Sequence, residues 1–141
     1  MITESTIEYA EARRALDAIC AEILRRGKKG IIAVCDPHGD LIAFARMDGA
    51  PLSSITIAMN KAYSAARERK PTKEIGNAAR HAEKGFDIGY FGDVKFTGWG
   101  GGVPVWNNGS VIGAIAVSGL PQSEDIELAE MGVAVLTASR A

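Results

Sequence analysis

Long apolar runs, a charge bias and clustered cysteines are all missing from this chain. Its 16 Lys+Arg nearly balance 17 Asp+Glu, for a formal net charge of -1. No basic field is therefore available for nucleic acid or an anionic membrane. No apolar stretch approaches the roughly 20 residues of a membrane-spanning helix. The opening MITESTIEYAEARR lacks a basic region followed by an apolar one, so it does not read as a secretory signal. The two cysteines, Cys20 and Cys35, fall in different predicted elements without metal-type spacing. They read as small buried hydrophobes of a reduced, cytoplasmic protein, and no metal site is expected. Histidine is scarce too, with only His38 and His81.

What is present suits a single domain spanning residues 1–141. Hydrophobic residues make up 47% and charged residues 23%, and a chain of this length buries roughly two thirds of its unfolded surface without staples. Leu16, Ile19, Cys20, Ile23 and Leu24 recur at helical spacing within a segment from Thr3 to about Arg26. Ile31 to Cys35 and Leu41 to Met47 flank the turn DPHGD and predict a hairpin. A helix capped at Ser53 or Ser54 follows, with Ile55, Met59, Ala62 and Ala66 on one face. Pro71 ends it, and a weaker helix runs from Thr72 to near Lys84. The stretch GFDIGYFGDVKFTGWGGG has no clear period and reads as a long loop, with a short strand near Val94 to Thr97. Val103–Trp106 and Val111–Val117 form a second hairpin around Asn108-Gly109, whose residues accept the positive φ of a type I′ turn. A last helix is capped at Ser123, with Glu124, Asp125 and Glu127 in its first turn.

An internal echo ties these pieces together. GDLIAFARMDGAPLS (Gly39 to Ser53) aligns without a gap on GSVIGAIAVSGLPQS (Gly109 to Ser123), 70 residues later. The turn glycine, central isoleucine, strand-end glycine, proline and serine coincide. In the first strand Leu41, Ala43, Ala45 and Met47 alternate with Ile42 and Phe44; in the second, Val111, Ile115 and Val117 alternate with Ile112, Ala114 and Ala116. Both faces are apolar, so both require cover. The expected architecture is α+β, a sandwich with a mostly antiparallel sheet of four or five strands flanked by helices.

The glycine run Gly98-Trp99-Gly100-Gly101-Gly102 resembles a nucleotide fingerprint only superficially. It feeds a strand carrying Pro104 rather than a helix, and no Lys-Ser or Lys-Thr follows a glycine, so neither dinucleotide nor phosphate-loop geometry is available. Two readings stay open: a tight bend into the hairpin, or a bare backbone wall beside Phe96 and Trp99 for a flat ligand. Arg46 and Asp48 share a strand face; they form either a local ion pair or, through Arg46, an anchor for a carboxylate. His81 and Glu83, just before the glycine-aromatic loop, are acid–base candidates or solvated side chains. Lys61 in MNKAYSAARE either projects into a pocket or is solvated.

Taken together, these motifs resemble the GlcG/HbpS family, which includes the C-terminal domain of PduO-type cobalamin adenosyltransferases. The resemblance rests on Asp36, Gly39, Leu41, Arg46-Met47-Asp48, Ser54, Lys61-Ala62, Gly101 to Pro104, Ile112 to Ile115, and Val117-Ser118-Gly119 with Asp125. It covers most of the chain. It implies a profilin-like sandwich, assembly as dimers to octamers, and a small-molecule ligand that is haem in some members. Members also occur in catabolic operons. The first-helix histidine of haem-binding relatives has no counterpart here. Tyr9 is the only comparable side chain on that helix, leaving His81 or no axial ligand. Two functions are thus expected: a small-molecule-binding protein, or a cofactor-independent isomerase, hydratase or lyase acting on a small carboxylated metabolite. In the latter, Arg46 binds the carboxylate and His81, Glu83, Asp48 or Lys61 moves protons. An oligomeric accessory protein is a third reading.

Overall fold

The structure, a computed structural model, describes residues 1–140. In chain order it contains α1 (Tyr9–Arg25), β1 (Ile31–Cys35), β2 (Leu41–Arg46), α2 (Ser54–Glu68), α3 (Thr72–Ala79), a 3₁₀ turn (Ile88–Phe91), β3 (Gly102–Asn107), β4 (Ser110–Ser118) and α4 (Gln122–Ala138). The four strands form one antiparallel sheet in the order β2-β1-β4-β3. Helices α1 and α4 pack on one face and α2 on the other. This is the expected α+β sandwich, with four strands. Among the described residues no helix is long and apolar enough to cross a membrane.

Three helix ends move from expectation and one expected strand is missing. Helix α1 starts at Tyr9 because the Ile7 N–H donates to the Ile112 carbonyl at 3.0 Å, holding the preceding chain extended against β4. The Glu11 side chain then accepts from the Glu8 N–H and opens the helix. Helix α3 stops at Ala79, where the His81 ring Nδ1 accepts from the N–H groups of Glu83 and Lys84 and turns the chain. No strand forms at Val94 to Thr97. Asp93 accepts from the Lys95 N–H through Oδ1 and from the Phe96 N–H through its carbonyl, making a turn instead. The helix expected to be capped at Ser123 begins at Gln122, after Pro121.

The 70-residue echo is structural. In the first hairpin the register runs Val34↔Ala43 and then Cys35↔Leu41, passing over Ile42. In the second it runs Val105↔Gly113 and then Trp106↔Val111, passing over Ile112. Both bulges fall on the echoed isoleucine, and each swings it onto the α1/α4 side: Ile112 lies in that core and Ile42 packs against it. The simple alternation expected for Leu41–Ile42 and Val111–Ile112 is therefore broken at the same place twice. Asn108 and Gly109 both take positive φ, as the tight turn requires. Pro104 is accommodated because β3 is an edge strand.

The requirement for cover on both faces holds for β1 and β4, which are buried along nearly their whole length. It fails for β2. Helix α2 lies across β1, β4 and β3, leaving Leu41, Phe44 and Arg46 exposed on the edge strand.

The two covered faces differ in composition. The α1/α4 side is built from large residues, among them Ile19, Ile23, Ile32, Val34, Ile115, Leu128 and Leu136. The α2 side is nearly all alanine: Ala33, Ala58, Ala62, Ala65, Ala66, Ala114 and Ala116, with Cys35. Burial pushes the Cys35 thiol up to about 12, so it sits in this layer as a small neutral hydrophobe.

Candidate functional site

The thin alanine layer brings α2 close to the sheet, and the glycine run crosses over it. Lys61 lies on the buried side of α2 beside Ala58, Ala62 and Ala65. It is not solvated: its side chain is 1% exposed. Its Nζ donates to the Val117 carbonyl at 3.0 Å and to Asp125 Oδ2 at 3.2 Å. The other carboxylate oxygen of Asp125 accepts from the Leu120 N–H at 3.2 Å. Desolvation drives both groups toward neutrality, lowering the Lys61 ammonium and raising the Asp125 carboxyl to about 6.

The glycines are required by this packing. A Cβ on Gly101, whose φ is +130°, would lie 2.7 Å from Lys61 Nζ and from the Val117 carbonyl oxygen. A Cβ on Gly102 would collide with the Lys61 carbonyl, and one on Gly100 would press on Gln122 and Ile126. Side chains on three other elements pin the segment. Ser64 Oγ accepts from the Thr97 N–H at 3.0 Å, Gln122 Oε1 from the Gly100 N–H at 2.9 Å and Thr72 Oγ1 from the Gly102 N–H at 3.0 Å. Gly100, Gly101 and Gly102 are all buried. The space that their missing side chains leave is taken by atoms of Lys61, Thr72, Val117, Gln122, Asp125 and Ile126.

The bare wall lies one step earlier. Gly98 crosses Gly76 of α3 so closely that a Cβ on either would strike the other's backbone. Around this crossing opens a cleft of about 590 Å³, within the size range of small-molecule sites. Gly76, Ala79 and Gly98 form its backbone floor, Phe86, Ile88 and Trp99 its apolar walls, and Arg80 and Gln122 its polar groups. Trp99 also stands over the buried lysine, with Nζ 5.7 Å from the ring centroid. The cleft and the ion pair are thus neighbours separated by one indole.

The structure distributes the other candidates elsewhere. Phe96 stacks on Phe91 with centroids 4.3 Å apart and meets Tyr63 edge-on, so it supports the loop from behind. Arg46 is exposed on β2, with β1 and β4 between it and β3; three strand spacings are roughly 14 Å. Arg46 and Asp48 are thus on the far edge from the glycine run within one chain. His81 and Glu83 are exposed in the turn after α3, next in sequence to Arg80. Accepting two N–H groups at Nδ1 places the proton of a neutral His81 ring on Nε2. Tyr9 lies at the start of α1, on the opposite side of the sheet from α2, and its hydroxyl accepts from Arg13. Among the described residues there is no cluster of three or more metal-ligating side chains.

The sequence left Lys61 open between pocket and solvent, and placed Asp125 in a helix first turn and, with Lys61, among the residues of the family resemblance, without pairing the two. The signal for Lys61 was its spacing with Ala58, Ala62 and Ala65. Nothing local pairs it with a residue 64 positions away. Arg80 and Gln122 carried no signal.

Comparison with known proteins agrees with the fold and the motifs. Residues 7–134 match the family described as haem degrading protein HbpS-like, and the chain belongs to that family. It is 35% identical over 126 residues to an uncharacterized 15.0 kDa protein of the dhaT–dhaS intergenic region of Citrobacter freundii, covering 89% of each chain. Protein GlcG of Escherichia coli is 36% identical over 87 residues, 62% of each chain. The crystal structure of Klebsiella pneumoniae protein ORFY superposes with a TM-score of 0.92 at 30% identity, covering 98% of this chain and 95% of that one. A crystal structure of a PduOC–haem complex shares the fold, with a TM-score of 0.86 at 22% identity over 92% of this chain and 94% of that one.

Proposed function

We propose that this protein binds a planar, carboxylate-bearing small molecule in the cleft beside Trp99, with haem as the first ligand to test. The observation that carries the reading is the Gly76–Gly98 crossing, which opens a glycine-floored cleft between Trp99, Phe86 and Ile88 with Arg80 among its lining residues. Flat apolar rings favour such walls, and a guanidinium favours carboxylates. The family described as haem degrading, and the haem complex of a protein with this fold, support haem as the ligand class.

The residues fit the macrocycle better than the iron. No histidine, cysteine, methionine or tyrosine is among the lining residues, and the Nδ1 of nearby His81 is committed to its turn. Recognition then rests on the ring and its carboxylates. Haem should give a saturable Soret shift, and iron-free protoporphyrin should bind within a few-fold of it. No saturable change at micromolar haem would end the haem reading. Haem binding without porphyrin binding would end the ring-based one.

The exposed Leu41 and Phe44 on edge strand β2 support self-association. Light scattering on the purified protein tests it, and a strict monomer would exclude it. The buried Lys61–Asp125 pair, adjoining a cleft and shifted toward neutrality, favours a second reading: an enzyme acting without a cofactor on a small carboxylated metabolite. Screening small hydroxy and oxo acids for consumption tests that reading.

A further inference from the structure

Among the described residues Lys61 is the largest that is fully buried, and packing alone does not call for it. Apolar residues of similar volume commonly replace buried ion pairs at no loss of stability. Here the pair is kept at the end of an otherwise alanine-lined layer, next to the cleft. Two neighbours of Nζ are fixed, the Val117 carbonyl and Asp125. Gly101 leaves no side chain on another side. A further neighbour is the indole of Trp99, itself 57% exposed, in a segment without helix or strand. One rotatable side chain stands between a sequestered amine and the cleft.

We propose that Lys61 is an amine nucleophile that forms an imine with a small aldehyde or 2-oxo acid in the cleft, with Trp99 as the gate and Asp125 as the proton carrier. The proposal rests on the enzymatic reading above. The neutral Nζ attacks the carbonyl carbon, a C–N bond forms, and the π electron pair moves to oxygen. Nζ gives up its protons, Asp125 relays them to that oxygen, and the oxygen leaves as water as the C=N bond forms. One amine and one carbonyl yield one imine and one water, and nothing is oxidised or reduced. Burial prepares the step by biasing the pair toward a neutral amine and a protonated carboxyl. The substrate class follows from the surroundings: Arg80 for a carboxylate, and Ile88 and Trp99 against a short carbon chain.

Borohydride trapping with glyoxylate as the probe tests this. The peptide containing Lys61 should carry the reduced adduct in preference to peptides of exposed lysines such as Lys28 and Lys95. Trapping should quicken about tenfold in Trp99→Ala, equivalent to 1.4 kcal/mol of lost gating barrier, and vanish in Lys61→Arg, whose guanidinium keeps the charge but does not form the imine. Adducts confined to exposed lysines, or an unchanged rate in Trp99→Ala, would overturn the proposal. Trp99→Ala leaves the ion pair in place, so the test survives a poorly folded Lys61→Arg. Quenching of tryptophan fluorescence by glyoxylate alone separates the two readings. Quenching without trapping overturns the imine and leaves the enzymatic reading standing, whereas neither signal overturns both.

Discussion

Helices α2 and α4 enter through the same Gly-x-Pro-x-Ser device, 70 residues apart, yet they cover opposite faces of the sheet with different material. Helix α4 presents Leu128 and Leu136 to a core of isoleucines and valines. Helix α2 presents alanines to alanines. Each buried methylene contributes about 0.8 kcal/mol, so the α1/α4 face supplies most of the hydrophobic stabilisation. The α2 face forgoes it for proximity. Small side chains let Gly102 pass directly over the Lys61 carbonyl and let Nζ reach Val117 on the sheet. The two units meet in the Lys61–Asp125 pair, one partner from each helix. Duplicated architecture thus has a load face and a site face.

The largest effect should come from breaking that meeting point. Lys61→Met leaves the Asp125 carboxylate buried without its partner, and urea unfolding should register a loss of about 3–5 kcal/mol. Changing Asp125→Leu in the same chain should restore most of it. Next, Leu128→Ala should lose about 2–5 kcal/mol by opening a cavity in the load face while leaving ligand titrations unchanged. Ala62→Leu, on the site face, should lose about 1–3 kcal/mol by overpacking and should also impair binding. Equal binding in both variants would erase the distinction between the faces. Gly101→Ala should lose about 1–3 kcal/mol through its left-handed φ.

A subtler test uses pH. The folded carboxyl of Asp125 titrates near 6, above its ordinary 3.8, so between these values the native state holds a proton that the unfolded chain releases. Its stabilising contribution is complete below that window and is lost as pH rises through it. Wild type should therefore lose stability relative to Asp125→Asn from about pH 4 to 6, with no further change just above. The smallest effect is expected at Arg46. Arg46→Ala, across the sheet from the cleft, should leave the haem titration unchanged, and a weakened titration would bring that edge into the site.

The helices, both hairpins and the α+β class were legible because period and turn chemistry are local. The echo was visible as letters, but its meaning was not. A bulge at Ile42 and Ile112 changes which face an isoleucine takes without altering any residue type. The glycine run was recognisable as a close approach, but what approaches it, α3 at Gly76 and α2 at Lys61, depends on tertiary placement. Charge misleads in the same way. A lysine between Asn60 and Ala62 reads as solvated until Asp125 is brought beneath it, whereas Arg46, the more conspicuous cation, ends on an exposed edge.

Ligand binding is assigned above all to the cleft beside Trp99. An absorption titration of haem into wild type and Trp99→Ala, with folding of the variant verified by its thermal transition, tests it. The expected result is a saturable Soret shift in wild type and an affinity about tenfold or more weaker in the variant, or 1.4 kcal/mol. Superimposable titrations, or no saturable shift in wild type, would contradict it.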